Sequence, residues 1–343
     1  MEKEILCQIK AKLKDIEPGK ARLNFYSSQT GKAEEKLFLL SDVEDSKLLL
    51  EHYDLYTGIS ITFACFLGHK LAFHHRHRPS VLKIDHCHLG RIGWNMANGQ
   101  SLYMGRGDLA VHSRDACKEA VTAITFPLGY YEGIIVSADL ETLKNHLPSP
   151  LNEAGLKEGL LFHKFGASRE IFSFPANKRV EHIFSELYDL PQEMKIPYLK
   201  LKCQELLLFL YMEDPFDGKA ADPYYSDQVE IIKSVHSLIT ENLTERFTIE
   251  ELSKKYRINS SALKSIFKSV YGLPIASYMK EYRIRQAAAM LRNSQESISW
   301  IARSVGYESQ SKFTNAFKNV MEILPTDYRK QYQRENPRKD PPK

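Results

Sequence analysis

Two stretches near the C-terminus, TIEELSKKYRINSSALKSIFK (residues 248–268) and SISWIARSVGYESQSKFTNAFK (residues 297–318), repeat one pattern. Phe267-Lys268 recurs as Phe317-Lys318 and Tyr278 as Tyr328, each 50 positions later; Ile249 and Leu252 recur as Ile298 and Ile301 at an offset of 49. The one-residue slip falls in the turn between two short helices, where an insertion is tolerated best. Sparse matches at so regular a spacing mark a repeated structural unit. In the first copy Thr248 and Glu251 form a capping box for a helix running to about Tyr256, and Arg257-Ile258-Asn259 supplies a turn. A second helix then buries Leu263, Ile266, Phe267 and Val270 as one stripe until Gly272 stops it. In the second copy Ser297 caps a helix to Ser304, Gly306 makes the turn, and Phe313, Ala316, Phe317 and Val320 face inward. Each copy therefore reads as a helix-turn-helix.

The faces left outside carry the chemistry. They present Ser261, Lys264, Ser265 and Lys268 in the first unit, and Gln310, Ser311, Lys312, Thr314, Asn315 and Lys318 in the second. Amide groups pair with adenine, lysine with guanine or phosphate, and hydroxyls with either, so these faces suit double-stranded DNA. Between the units, Pro274 to about Arg292 reads as one helix, with Ala287-Ala288-Ala289 strongly helix-forming. Its expected length is roughly 28 Å. Successive major-groove segments lie about 34 Å apart. Such a strut suits one monomer that reads two grooves.

From about Ser226 to Gln331 the chain resembles the DNA-binding domain of AraC/XylS-type transcription regulators. The resemblance rests on the paired helix-turn-helix, on Arg283-Ile284, Ala287 and Leu291 of the linker helix, and on Ile298, Ile301-Ala302 and Gly306-Tyr307. Ser309-Gln310-Ser311, Phe313, Phe317-Lys318, Pro325 and Tyr328-Arg329 complete it. One position departs: a helix stop often filled by glycine is Glu322. The resemblance implies a variable N-terminal domain shaped as a cupin-like barrel that binds an effector, followed by helices that dimerise, and contact with RNA polymerase. Cys87, Gly90-Arg91, Tyr103, Gly105, Gly107-Asp108 and Phe126-Pro127-Leu128 resemble, more loosely, the branch containing siderophore-receptor regulators.

Charge follows the same division. From Ser226 onward 20 Lys and Arg face 13 Asp and Glu, a net of +7 within an overall +4, so positive charge gathers where DNA is expected. Five scattered cysteines (Cys7, Cys65, Cys87, Cys117, Cys203) without a Cys-x-x-Cys pair argue against a disulfide framework or zinc finger, and for a reducing compartment. No stretch has signal-peptide character or membrane-span length, which points to the cytoplasm.

The expected fold class is α+β, with an N-terminal β-rich, cupin-like effector domain over residues 1–138 and a helical, dimerising segment over 139–212. A linker over 213–225, an all-α domain of two helix-turn-helix units over 226–333 and a disordered tail over 334–343 follow. Short strands are expected at Ile61–Leu67, Val81–His86, Ile92–Ala97, Ser101–Met104, Leu109–His112, Val121–Phe126 and Gly133–Ser137, with a hairpin turn at Asn98-Gly99. The helix from Lys195 to Tyr211 holds more apolar residues than one stripe hides, which predicts a homodimer.

Histidines are the residues of this half that suggest chemistry. His74, His75 and His77 read as a basic, solvated turn, since no carboxylate follows as a cupin metal site requires. His86 and His88 share one strand face while Cys87 faces the other way. The expected effector site lies inside the barrel, lined by His86, His88, Arg91, Trp94 and Tyr103, with Trp94 beside Ile92 and Met96. Trp300 falls outside the buried stripe of its helix and reads as packed on the linker helix or as a contact surface. The leading reading is a ligand-responsive, sequence-specific transcription regulator, not an enzyme, needing no cofactor or metal and taking an unknown small-molecule effector. Two others stay open: a cupin-type metal-dependent enzyme fused to a DNA-binding module, and a constitutive DNA-binding regulator.

Overall fold

Runs that alternate inward and outward side chains build two sheets in the first part of the chain. The computed structural model describes residues 2–27, 33–40, 45–71, 80–96, 98–113, 121–155, 161, 164–165, 171–213 and 224–335. The chain divides into two units, Glu2–Ser226 and Asp227–Lys343. The first opens with helix α1 (Glu2–Lys12) and strands β1 (Lys20–Ser27), β2 (Ala33–Leu39), β3 (Lys47–Tyr56), β4 (Ile59–Leu67) and β5 (Lys70–Leu71). Strands β6 (Val81–Gly90), β7 (Ile92–Met96), β8 (Gln100–Met104), β9 (Leu109–Ser113), β10 (Val121–Thr125) and β11 (Tyr130–Asp139) continue it. Helices α2 (Leu140–Leu143) and α3 (Ser149–Glu153), strand β12 (Phe172–Phe174), helices α4 (Lys178–Phe184) and α5 (Lys195–Met212) and strand β13 (Tyr224–Tyr225) complete it.

One sheet has eight strands in the order β12-β9-β6-β11-β4-β3-β1-β2, the other five in the order β13-β8-β7-β10-β5. The expected single barrel is thus replaced, among the described residues, by two open sheets. The reason is visible in β1, β2 and β3, which the sequence reading left unassigned: Lys20–Ser27 and Ala33–Leu39 are too charged to signal strands, and Leu48-Leu49-Leu50 does not alternate. They pair onto β4 and bring the large sheet to eight strands.

The sheets face one another. Ala64, Phe66, Cys87, Ala110 and Tyr131 of the large sheet pack with Leu71, Ile92, Trp94, Leu102 and Met104 of the small one. On the opposite face of the large sheet, Ile61, Ile84, Val111, Ile134 and Val136 pack with Val180, Phe184, Leu199, Cys203, Leu206 and Leu210 of the helices. Helix α5 therefore spends most of its apolar surface on its own unit, leaving Leu201 and Met212 exposed. Asn98-Gly99 does turn β7 into β8, with Gly99 at φ 78°.

The second unit is all helical: α6 (Ser226–Glu241), α7 (Ile249–Tyr256), α8 (Ser260–Tyr271), α9 (Ile275–Asn293), α10 (Ile298–Ser304), α11 (Gln310–Met321) and α12 (Pro325–Glu335). The fold class is α+β. The histidines at 74, 75 and 77, Ala97, Cys117, residues 214–223 and the last eight residues lie outside the described residues.

Candidate nucleic-acid interface and ligand cavity

Thr248 and Glu251 cap α7 reciprocally, the Thr248 hydroxyl accepting from the Glu251 N–H at 3.1 Å and the Glu251 carboxylate accepting from the Thr248 N–H at 2.8 Å. Asn259 caps α8 by accepting from the N–H of Ser261 at 2.8 Å. In the second unit the Ser297 hydroxyl accepts from the Trp300 N–H, and that of Ser309 from the Lys312 N–H. Leu263, Ile266, Phe267 and Val270 of α8 are buried, as are Phe313 and Phe317 of α11. These anchors fix which faces look outward. Ser261, Lys264, Ser265 and Lys268 are exposed on α8; Gln310, Ser311, Lys312, Asn315 and Lys318 are exposed on α11, and Thr314 is half-buried. Ser265 donates its hydroxyl to the carbonyl of Ala262, and Lys312 lies 3.4 Å from Glu308, so both hold local partners.

Helix α9 ties the two units together. Near its start Tyr278 meets Phe267 and Tyr271 edge-on or tilted, at ring-centroid distances of 5.6 and 5.4 Å. Further along, Ile284, Ala287, Ala288 and Leu291 pack with Ile301, Val305, Phe313 and Phe317. The Arg283 guanidinium donates to the carbonyls of Leu243 at 3.0 Å and Glu245 at 2.7 Å. Gly306 sits at φ 84°, and a Cβ there would come within 2.3 Å of the same Leu243 carbonyl oxygen. Glycine alone lets the second turn close onto the loop that precedes the first unit. The sequence reading missed Arg257 and Arg303, exposed cations beside the two turns; their place at the end of each short helix was a readable signal. Trp300 is 49% exposed, so about half of its surface is covered and half faces outward.

Residues 252–331 match the family model described as "Helix-turn-helix domain". The Tn10 TetD protein of Escherichia coli is 31% identical over 100 residues, which cover 29% of this chain and 72% of that protein. The transcriptional activator RhaR of Mannheimia succiniciproducens is 29% identical over 128 residues, 37% of this chain and 45% of that protein. A putative AraC-like transcription regulator of Streptomyces lividans is 37% identical over 84 residues, 24% of this chain and 28% of that protein. The chain belongs to the AraC family. Its matched part spans less than half the length of the RhaR and S. lividans proteins.

In this AraC-family chain the space between the two sheets is a cavity of about 220 Å³. Trp94, Phe66, Phe126, Leu48, Ile92 and Ile124 give it apolar walls. Its polar groups were not foreseen. Lys83 and Asp85 of β6 reach it, as do His112 of β9 and Tyr131 of β11. His112 Nε2 lies 2.5 Å from Asp85 Oδ2, with both side chains buried. The Tyr131 ring lies across Gly133, whose missing Cβ makes room for it, since an added Cβ would stand 2.1 Å from the Tyr131 oxygen.

Of the five expected effector residues, only Trp94 lines this cavity. Strand alternation puts Lys83 and Asp85 on the inner face of β6 and His86 and His88 on the outer one, toward the helices. There His86 stacks on Phe184 at 4.1 Å, with Nδ1 3.1 Å from the Tyr188 hydroxyl, and His88 stacks on Tyr188 at 3.8 Å. Burial pushes His86 down to about 3 and lowers His88 as well. Arg91 lies against Gly105 and the Tyr103 ring against Gly93, alternate positions to Ile92 and Trp94, so both belong to the far face of the small sheet. Among the described residues no group of three or more His, Cys, Asp or Glu is placed to hold a metal ion. No helix among them is long and apolar enough to cross a membrane.

Proposed function

We propose that this protein is a ligand-responsive, sequence-specific DNA-binding transcription regulator whose monomer reads two successive major-groove segments. The observation that carries the reading is the pair of capped helices α8 and α11, each anchored by buried aromatics and each exposing Lys, Ser, Gln or Asn on its outer face. At 19 residues α9 is about 28 Å long, a spacer suited to adjacent grooves. Selection of sites from random duplexes by the full chain tests this. Two conserved segments about one helical turn apart are expected; one short segment, insensitive to changes on the other helix, would overturn the double reading.

The sheet pair is a cupin-like sandwich in this reading, and its cavity holds the effector, with Trp94 as the wall residue and Lys83, Asp85, His112 and Tyr131 as the polar set. Ligand then acts by binding one arrangement of the protein better than another. Regulators of this kind act in the cytoplasm, as homodimers and with RNA polymerase; Leu201 and Met212 of α5 are the exposed apolar side chains available to the dimer. Trp94→Ala should abolish the ligand response in a reporter assay while leaving ligand-free DNA binding intact. An unchanged response would place the effector elsewhere.

A further inference from the structure

Three segments of the helical unit converge on one backbone carbonyl. Helix α9 carries the two helix-turn-helix units on separate patches of side chains. Near its start Tyr278 meets Phe267 and Tyr271 of α8, whereas Ile284, Ala287 and Leu291 pack with Ile301, Phe313 and Phe317. Arg283 stands at the changeover, half-buried. Its guanidinium reaches the loop that leads into α7, Nε donating to the Leu243 carbonyl at 3.0 Å and Nη2 to that of Glu245 at 2.7 Å. The turn of the second unit arrives at the same place: a Cβ on Gly306 would lie 2.3 Å from the Leu243 oxygen and 3.3 Å from Arg283 Nε.

A helix fixes the distance between two bodies packed along it, yet each body can still tilt about its own patch. A second attachment, away from that patch, removes the tilt. Arginine suits this task because its planar fork donates in fixed directions through charge-assisted bonds, roughly twice as strong as neutral ones. Resting on the reading that one monomer takes two successive grooves, we infer that Arg283 is a positioning residue for DNA reading. It braces the first helix-turn-helix against the second and so sets the number of base pairs between the two segments. Arg283 acts through the Leu243 loop and the Gly306 turn, without touching DNA.

Site spacing is therefore the readout. One base pair advances a segment by about 3.4 Å and turns it by roughly 35°. The probes are the duplex that the full chain selects from random sequence and versions with one base pair inserted or deleted between its segments. The wild-type chain should bind the altered duplexes at least tenfold more weakly. Arg283→Met keeps an extended stem but no donor, and should narrow that gap to threefold or less. It should bind a duplex with one segment scrambled as tightly as the wild type does. Arg283→Lys, a cation without the fork, should fall between. Loss of stability alone would weaken every duplex by one factor and leave the gap intact; a direct phosphate contact would also lower the salt slope by about one. Either result overturns the brace. If Arg283→Met does not fold, Arg283→Lys decides, and an undiminished gap counts against the brace. A wild-type chain that selects two segments but tolerates altered spacing also overturns it. Selection of a single segment is a different failure, that of the two-groove reading itself.

Discussion

At the scale of single residues, the two helix-turn-helix units solve the same backbone problem with opposite residues. The short first helix ends in a left-handed turn made by Arg257 (φ 51°) in one unit and Gly306 (φ 84°) in the other. The second helix ends on Gly272 (φ 87°) in one and Glu322 (φ 60°) in the other. Glu322, the departure from the family pattern, still closes α11, its N–H donating to the Lys318 carbonyl at 2.8 Å. A side chain held there carries strain of roughly 1–2 kcal/mol. Glu322→Gly should therefore stabilise the protein by about 0.5–1 kcal/mol, and Gly306→Ala should cost about 2 kcal/mol or more, both read from denaturant midpoints. His86 supplies a pH prediction. Its pKa falls from an ordinary value near 6.5 to about 3 in the folded state. The unfolded chain thus binds the extra proton, so stability is complete above pH 6.5 and is lost as pH falls toward 3. From His86 alone the loss between pH 7 and pH 5 is about 2 kcal/mol, and His86→Gln should flatten that part of the stability curve.

At the scale of elements, burial decides which sides of α8 and α11 face outward. Phe313 and Phe317 lock α11, and Leu263 and Phe267 lock α8, so neither helix can rotate its polar face without opening its core. Replacing Gln310 or Asn315 by Ala should cost about 1–3 kcal/mol at a single base pair, measured by competition between site variants. Replacing Lys268 or Lys318 should instead weaken every sequence alike and lower the salt slope by about one per charge, measured by titrations at several salt concentrations. Equal losses on all sequences from both classes would show that the exposed amides do not read bases. Helix α5 teaches the converse lesson: its run Leu206-Leu207-Leu208-Phe209-Leu210 promised surplus apolar surface, yet Leu206, Leu207, Phe209 and Leu210 are all buried within its own unit.

At the scale of the molecule, a β-rich unit and an all-helical unit occupy separate stretches of the chain. Each has its own core, so calorimetry of the full chain should resolve two unfolding transitions. Cognate DNA should raise the helical unit's transition, and a cavity ligand that of the β-rich unit, in proportion to the logarithm of its concentration above Kd. A ligand that raised only the helical transition would contradict an effector site between the sheets.

The helix-turn-helix half was legible because its signals are local. Capping box, turn and apolar stripe all fall within about twenty residues of one another, and a 3.6-residue period names the buried face without knowledge of any partner. Hence Thr248 with Glu251, Phe267 with Phe317 and the outward lysines could all be read from the chain alone. The β-rich half was legible only as strands. Alternation along β6 separates Lys83 and Asp85 from His86 and His88, but nothing in that strand says which set meets Trp94 and which meets Phe184. That choice belongs to pairings far apart in sequence, β6 with β9 and β11, and to the helices that claim one face of the sheet. Only those long-range contacts bring Asp85, His112 and Tyr131 to the lining of one cavity, because a strand fixes the phase of its side chains while the packing of sheets decides which phase is inside.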